Sequence, residues 1–408
     1  MGRIAYITAN MPYGQQETFI LSEMLALHER GTKIVVIPRD RPTVLFNKKA
    51  EVLLSDTIGL PLFNSKIATG FIREMLMHPY ATVRSIAPVL LRARNAKIAL
   101  KNLAIIPKAV HLAAVLKRTP VTHIHAHWGS TTSTMGYIIS RLTGIPWSFT
   151  AHRWDIPENN LLKEKCRTAA FVRVIDEGGS REVKEIVNDS ALAEKVRIIH
   201  MGVNLSPSKA SGASADLFNF ICPANLLPKK GHRYLLEACR ILAAKGLKFK
   251  CLVAGDGPLG EELKHLADDL KLGERVEFVG RLPHERLLGM YERGDVKAVV
   301  LPSIVTSHDD KEGIPVSLME AMANSIPVIS TRTGGVPELI GDGSGVMVEE
   351  RDPKAIAEAI EGLRNNKAFY GSVSRRGREK IESDFNMGGI AEKLMNLFSG
   401  REPEGDFR

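Results

Sequence analysis

The 408-residue sequence has few cysteines, and they form no pattern that would join them or give them a metal. The four are scattered, with no Cys-x-x-Cys pair and no histidines at zinc-finger spacing. Such thiols are typical of reduced cysteines in a cytoplasmic protein. No run approaches the roughly 18 uninterrupted apolar residues of a membrane span, and no signal peptide precedes the first strand. The sequence therefore predicts a cytoplasmic protein without structural disulfides.

Acidic residues are almost missing from one stretch, and aromatic residues are only 6% of the chain. Residues 60–118 contain ten Lys or Arg and a single acid, Glu74, so this segment carries +9, the net charge of the whole chain. A basic amphipathic surface of this kind favours docking to anionic lipid headgroups on the inner face of the cytoplasmic membrane. A soluble polyanionic acceptor and an ordinary basic surface are the alternatives. Nucleic acid is disfavoured because no reader motif accompanies the charge.

Short apolar strands alternate with helices twice along the chain, six strands before residue 204 and six after residue 216. This pattern predicts an α/β protein with two Rossmann-like, doubly wound parallel-sheet domains that face each other across a cleft. We expect a first domain at 1–203, a small-residue linker at 204–216 and a second domain at 217–385. Residues 386–408 are expected to form a helix that crosses back to the first domain, followed by a tail.

The strongest chemical signal is the stretch 312–323, EGIPVSLMEAMA. Glu312 stands in a glycine-containing loop, and Glu320 stands eight positions later on a helix that begins near Pro315. Glu320 interrupts an otherwise apolar helix, and a buried carboxylate needs a partner. Vicinal hydroxyls of a ribose or a sugar would supply one.

The stretch 312–338, with Pro-Ser at 302–303 and GGVPE at 334–338, resembles the E-x7-E region of family-4 (group 1) retaining glycosyltransferases of the GT-B fold. The resemblance implies metal-independent transfer of a hexose-type sugar, without a cofactor, from a UDP- or GDP-sugar to a saccharide or lipid-linked acceptor. The sequence is similar to the transferases of bacterial exopolysaccharide and lipopolysaccharide synthesis. The resemblance implies that Glu312 is catalytic and contacts the donor sugar, and that Glu320 binds the ribose. It also implies donor-binding roles for the intervening residues Gly313, Ile314, Pro315 and Val316.

A second element is the loop 224–232, ANLLPKKGH, between a strand and a helix. A lysine there can lie close to an anion at the helix N-terminus. In the resembling family an arginine and a lysine of this loop hold the diphosphate, and Lys230 matches the lysine. Asn225 stands in place of the arginine, whose bidentate contact an amide cannot reproduce. Either Lys229 or Arg281 substitutes for it, or diphosphate binding is weaker.

The first half offers a histidine cluster, HIHAHW at 123–128. Strand alternation places His123, His125 and His127 on one face, which leaves a zinc site open as an alternative. The family resemblance implies that His127 is catalytic and that His152 is a second histidine at the donor. A buried structural role is predicted for His125. Gly14, in the first strand-to-helix loop, would let the backbone approach a phosphate or acceptor closely.

Residues 255–260 spell G-x-G-x-x-G, the glycine fingerprint of dinucleotide enzymes. An NAD-dependent oxidoreductase is therefore an alternative, although the motif follows the second strand of its half. In the resembling family the loop with Gly255 and Gly257 lies by the nucleotide, and the turn with Arg281 and Leu282 lies near the base. A nucleotide-sugar epimerase or phosphorylase of the same fold is a further alternative. A non-catalytic lipid- or polyanion-binding protein would leave both motif glutamates dispensable.

Overall fold

The computed structural model describes residues 2–14, 17–41, 44–45, 47–205, 217–307 and 310–401. The chain forms two compact units: unit 1 is Met1–His200 with Met387–Arg408, and unit 2 is Met201–Asn386. The predicted linker, 204–216, begins close to the division between His200 and Met201. Its residues 206–216 and the tail from residue 402 fall outside the described part of the chain.

Unit 1 is built on a six-stranded parallel sheet of order β2-β1-β3-β4-β5-β6. Its strands read as almost continuous apolar runs because helices cover both faces of a parallel sheet. The strands are β1 Arg3–Thr8, β2 Ile34–Pro38, β3 Val121–His127, β4 Trp147–Ala151, β5 Phe171–Val174 and β6 Val196–Ile198. The helices are α1 Thr18–Glu29, α2 Ser65–Met77, α3 Pro79–Leu91, α4 Ala96–Leu116, α5 Thr131–Thr143, α6 Leu162–Thr168, α7 Glu177–Val187 and α8 Ser190–Ala193, with a 3-10 helix at Lys48–Asp56.

Unit 2 repeats the plan with a parallel sheet of order β12-β11-β10-β7-β8-β9. Its strands are β7 Phe218–Pro223, β8 Phe249–Ala254, β9 Val276–Phe278, β10 Ala298–Leu301, β11 Val328–Thr331 and β12 Val346–Val348. Its helices are α9 His232–Ala244, α10 Gly260–Asp269, α11 His284–Arg293, α12 Val316–Ala323, α13 Val336–Ile340, α14 Pro353–Asn365 and α15 Lys367–Lys380. A π-helical turn, Ile381–Phe385, and short 3-10 helices at Pro228–Lys230 and Gly273–Arg275 complete the unit.

The C-terminal helix α16, Met387–Phe398, belongs to unit 1. Its buried face joins the core formed by β1, α1 and β5. The Phe398 ring lies against Tyr6, His123, His125 and Phe171, with centroids 5.2–6.4 Å apart. The chain therefore leaves unit 1, builds unit 2 and returns to complete the first core.

The predicted α/β class, with two doubly wound parallel sheets, is confirmed, and every predicted strand is present. In each sheet the strand order reverses next to the first strand of the unit. β1 pairs with both β2 and β3, and β7 pairs with both β8 and β10. Ligands of such sheets bind outside the carboxyl ends of the strands at this reversal.

The basic segment 60–118 forms α2, α3 and α4. Helix α4 is long and apolar enough to cross a membrane by length and composition, but half of its apolar window is buried within the structure. Lys108, fully buried on this helix, donates from Nζ to the carbonyls of Pro38, Arg39 and Leu60 at 2.6–2.7 Å. Burial lowers the pKa of Lys108 to about 8. These contacts fit a helix in the interior of unit 1.

Candidate functional site

Unit 2 contains a cavity of about 440 Å³ at the carboxyl ends of its strands. It lies beside the reversal point of the sheet, where loops after β7 and β10 meet. Nine of the predicted donor-site residues line it: Asn225, Lys230, Gly255, Arg281, Leu282, Glu312, Ile314, Pro315 and Val316. Predicted residues that lie almost one hundred positions apart in the sequence therefore line the same cavity.

The charged centre of the cavity is an ion pair between Lys230 and Glu312. Lys230 Nζ lies 2.6 Å from Glu312 Oε1, with 17% and 9% of the two side chains exposed. Ser303, after β10, donates its hydroxyl to the same carboxylate oxygen at 3.3 Å. Both charges are partly desolvated, so each interacts more strongly with a ligand than an exposed charge would.

Asn225 and Arg281 both line the cavity, whereas Lys229 is absent from its lining. Lys229 Nζ instead lies 3.0 Å from Asp310 Oδ1. Of the two cations that the sequence offers as substitutes for the missing arginine, the geometry therefore favours Arg281.

Glu320 lies on α12 and does not line the cavity itself. Its Oε1 is 2.6 Å from Nε2 of His284, which does line the cavity. The Glu320 side chain is 15% exposed, against 59% for His284. Sequence reasoning missed His284; the only available signal was its place next to the predicted Arg281-Leu282 turn.

The first two glycines of the G-x-G-x-x-G loop are explained by contacts inside unit 2. A Cβ at Gly255 would lie 2.0 Å from the carbonyl oxygen of Ala224, and one at Gly257 would lie 2.5 Å from that of Leu226. The loop after β8 therefore packs directly against the backbone of the loop after β7. Gly257 does not line the cavity among the residues described, and neither does Gly313.

The corresponding edge of unit 1 is filled by a buried polar network around Glu23. Its carboxylate lies 2.5 Å from Arg173 Nη1 and 2.9 Å from His127 Nε2, and it accepts a hydrogen bond from the hydroxyl of Tyr6. Burial alone would raise the pKa of the Glu23 carboxyl, but Arg173, His127 and Tyr6 hold it well below its usual value. Arg173 also donates to the carbonyls of Ile199 and His200, at 2.8 and 2.7 Å.

His127, the predicted catalytic histidine, is fully buried in this network. An ionised carboxylate can only accept, so Nε2 carries the proton shared with Glu23. Within the described residues Nδ1 of His127 has no hydrogen-bond partner. Glu23 and Arg173 were missed by sequence reasoning. The signal was an acid, Glu23, in the middle of the mostly apolar helix TFILSEMLALHE and a single cation in the buried strand FVRV.

His123 and His125 are held by hydroxyls of the neighbouring strand. Ser148 Oγ lies 2.7 Å from His123 Nε2 and 2.8 Å from His125 Nδ1, and Thr150 Oγ1 lies 2.9 Å from His125 Nε2. Burial lowers the pKa of His123 to about 4 and that of His125 well below its usual value. The geometry agrees with a structural role for His125, and the described residues contain no group of three or more His, Cys, Asp or Glu arranged to hold a metal ion.

His152 and Gly14 lie at the same edge of unit 1. The His152 ring packs against Trp128, with centroids 4.4 Å apart, and burial lowers its pKa well below the usual value. Gly14 closes a turn in which its N–H and that of Tyr13 donate to the carbonyl of Asn10. Its Cβ would lie 2.6 Å from the Asn10 side chain, so the turn itself requires glycine.

Residues 208–380 match the family described as glycosyl transferases group 1. The chain is 37% identical over 211 residues to a glycosyltransferase assigned to colanic acid biosynthesis in Escherichia coli K12, covering 50% of this chain and 51% of that protein. It is 36% identical over 199 residues to the amylovoran biosynthesis glycosyltransferase AmsK of Erwinia amylovora, covering 48% of each. The matched part therefore spans about half the length of these curated relatives.

Among solved structures, Alr3699/HepE of Anabaena, determined in complex with UDP, superposes with a TM-score of 0.71. The match covers 98% of this chain and all of that one at 16% identity, a likeness that shows the GT-B fold. The resemblance seen in the 312–338 motif is confirmed for this part of the chain: residues 208–380 match the model of glycosyl transferases group 1.

Proposed function

We propose that this chain is a retaining, metal-independent glycosyltransferase that moves a hexose-type sugar from a UDP- or GDP-sugar to a saccharide or lipid-linked acceptor in bacterial surface polysaccharide synthesis. The observation that carries the proposal is the cavity of unit 2, which brings Lys230, Arg281 and Glu312 together at the reversal point of the sheet. The names of the two polysaccharide-synthesis relatives and the UDP complex of HepE support the substrate classes.

In the proposed reaction the bond between the anomeric carbon and the donor phosphate breaks, and a bond from the acceptor oxygen to that carbon forms on the same face. The departing diphosphate gains negative charge, which Lys230 and Arg281 are placed to stabilise. The acceptor proton passes to the departing phosphate oxygen. A diphosphate in the cavity would compete with Glu312 for the Lys230 ammonium and so direct the Glu312 carboxylate toward the sugar.

The first test is a thermal-shift screen with UDP, GDP, ADP, their common sugar conjugates and NAD. A ligand that binds only the folded state raises the midpoint by mass action. We expect a rise with one nucleoside diphosphate and its sugar conjugate, and none with NAD. A rise with NAD alone would instead favour the oxidoreductase, and no rise with any nucleotide would contradict the proposed donor site.

Glu320→Ala tests the role of the second motif glutamate. We expect donor affinity to fall about tenfold or more, because hydrogen bonds to a charged group contribute about 1.5–3 kcal/mol. Glu338→Ala is the matched control: both glutamates belong to the same family motif, and Glu320 is the one whose carboxylate contacts His284 of the cavity lining. Equal affinity in the wild type and Glu320→Ala would refute the assignment of that residue.

The basic segment supports docking of the enzyme to an anionic membrane. Several large apolar side chains of α2–α4 are exposed, and α2 carries a groove lined by Thr69, Ile72, Arg73, Leu76 and Met77. Four of the ten basic residues are engaged within unit 1: Arg92 pairs with Glu164, Arg94 donates to the carbonyl of Pro157, Lys101 pairs with Glu158, and Lys108 is buried. The remaining cations, mixed with exposed leucines, match an interface of lipid headgroups and acyl chains.

Liposome flotation tests this docking. We expect the protein to float with vesicles that contain phosphatidylglycerol at low salt. With vesicles of pure phosphatidylcholine it should remain in the bottom fraction of the gradient. The double variant Leu76→Glu/Leu91→Glu should lose flotation, whereas Leu217→Glu, at an exposed leucine of unit 2, should retain it. Absence of wild-type flotation with anionic vesicles would refute the proposal.

A further inference from the structure

An exposed aromatic side chain stands at the carboxyl edge of the unit 1 sheet. Trp154, in the loop after β4, has 61% of its surface exposed. Its ring lies beside that of Trp128, in the loop after β3, with centroids 5.0 Å apart and planes at 45°. Phe19 and His152 pack against Trp128 from the other sides. We call these four side chains the aromatic platform.

The backbone beneath the platform is strained and fixed. Trp128 has φ of +76°, a conformation that is rare for a bulky residue and is found mostly at functional sites. Its indole N–H donates to Glu17 Oε1 at 2.5 Å. The buried Glu17 carboxylate also accepts the backbone N–H groups of residues 9–11, so it ties the loop after β1 to this tryptophan.

Two further buried side chains, Asp155 of the loop after β4 and Lys165 of α6, bind the backbone of the loop that carries Trp128. Asp155 accepts the N–H of Gly129 at 2.7 Å and that of His152 at 2.9 Å. Lys165 Nζ donates to the carbonyls of Gly129 and Ser130, both at 2.8 Å. Both side chains are at most 2% exposed. Buried polar side chains and a strained φ therefore fix Trp128. The exposed Trp154 ring lies beside this fixed ring.

The platform also occupies the position where such a sheet binds ligands. β1 is the strand at which the order of unit 1 reverses, and the loops after β1 and β3 meet at Glu17 and Trp128. In unit 2 the equivalent point is an open cavity, whereas in unit 1 the titratable groups are buried beneath the aromatic surface. A ligand of this edge would therefore meet an aromatic face before any charge of the Glu23 network.

We infer that the aromatic platform is a saccharide-binding subsite, in which Trp154 stacks on the apolar face of a pyranose ring. The electron-rich face of an aromatic ring attracts the polarised C–H groups of such a sugar face, and the indole contributes a large contact area at little entropic cost. This inference rests on the proposed function, since the acceptor of a glycosyltransferase presents a sugar or a sugar-linked lipid. A nucleobase would also stack on Trp154, and the nucleotide thermal shift of the Trp154 variants distinguishes this case.

The test combines tryptophan fluorescence with saturation-transfer NMR, using the methyl glycosides of glucose, galactose, mannose and fucose. We expect at least one glycoside to bind the wild type weakly, with transfer to the ring protons of one sugar face. Trp154→Ala should lower its affinity about tenfold, and Trp154→Phe, which keeps an aromatic face, should lower it much less. Phe63→Ala, at another exposed aromatic of unit 1, is the matched control.

The nucleotide thermal shift is measured on the same variants. A UDP or GDP shift that is unchanged in Trp154→Ala, together with lost glycoside binding, supports the subsite. Equal glycoside binding by the wild type and Trp154→Ala, or no binding of any glycoside, overturns the subsite and leaves the transferase proposal intact. Loss of the nucleotide shift in Trp154→Ala would assign the platform to a nucleobase instead. Absence of any nucleotide shift in the wild type would count against the proposed function itself.

Discussion

The two sheets follow the same strand plan, yet their carboxyl edges differ in what fills them. In unit 2 the loops diverge around a cavity with a partly exposed ion pair, Lys230 and Glu312. In unit 1 the equivalent edge is packed with Glu23, Arg173 and His127, all fully buried. The shared topology places an edge where a ligand can bind in each sheet. The local side chains decide whether the polar groups of that edge are open to a ligand or pair with one another.

The difference assigns distinct chemistry to each unit. A solvent-accessible lysine can exchange one anion for another, whereas a buried charge that loses its partner is strongly destabilising. We therefore expect substitutions at the unit 2 edge to change nucleotide affinity, and those at the unit 1 edge to change stability. All three tryptophans, Trp128, Trp147 and Trp154, lie in unit 1, so tryptophan emission reports that unit.

Glu23→Ala should have the largest effect, because it leaves Arg173 buried without its carboxylate. Breaking a buried ion pair from one side costs about 3–5 kcal/mol. Urea unfolding followed by tryptophan emission measures the loss for unit 1. Glu177→Ala, at an exposed pair with Arg181, is the control and should cost about 0.5 kcal/mol or less. A loss from Glu23→Ala no larger than that of the control would contradict a stabilising network.

Acid should weaken unit 1 through its buried histidines. The pKa of His123 is lowered by burial to about 4, so between pH 6.5 and 4 the unfolded state binds more protons than the folded state. Stability is full above pH 6.5 and falls below it, by about 2 kcal/mol from this histidine at pH 5. His125 and His152 act in the same direction, and Asp155, whose pKa burial raises to about 7, acts in the opposite direction. In unit 2, burial lowers the pKa of His232 to about 4.

Hydrogen exchange of both units at pH 7 and pH 5 measures this difference. We expect protection to fall more in unit 1 than in unit 2. His28→Gln, at an exposed histidine, should leave the pH dependence unchanged. Equal losses in the two units would show that the three histidines of unit 1 do not control its acid stability.

Lys230→Ala should weaken nucleoside diphosphate binding about 10- to 100-fold, since a charged hydrogen bond contributes about 1.5–3 kcal/mol. Arg281→Ala should act in the same direction, because this residue lines the same cavity. Lys229→Ala is the matched control and should change the affinity little, given its pairing with Asp310. Calorimetric titration with UDP or GDP measures all three. A larger loss from Lys229→Ala than from Arg281→Ala would reverse the choice of substitute cation.

Asn225→Arg should have the smallest effect. If Arg281 already supplies the second cation, another arginine should raise diphosphate affinity by less than about tenfold. The same titration measures it, with Asn219→Arg on β7 as the control. A gain of several hundredfold would show instead that the natural chain lacks a second diphosphate contact.

The sequence predicted the sheets well because apolar runs and the alternation of strands and helices are local signals. It also predicted that Lys230 and Glu312 share a site, since loops after neighbouring parallel strands meet at one edge. The pairing of Glu23 with Arg173 was not predictable, because it joins residues 150 positions apart on two mostly apolar elements. The exposure of Trp154 depends on a loop conformation, and the contact of His284 with Glu320 depends on how α11 and α12 lie relative to each other. No periodicity in the sequence encodes either feature.

The return of α16 to unit 1 has a consequence for synthesis on the ribosome. The core of unit 1 is incomplete until Met387, Ile390, Leu394 and Phe398 have been translated. Residues 201–386 are made first, a delay of roughly 10–40 s at about 5–20 residues per second. During this time the apolar surface around Tyr6 and Phe171, which Phe398 later covers, is exposed to solvent in the nascent first unit. A chain that stalls before residue 387 is therefore a natural client for chaperones and proteases.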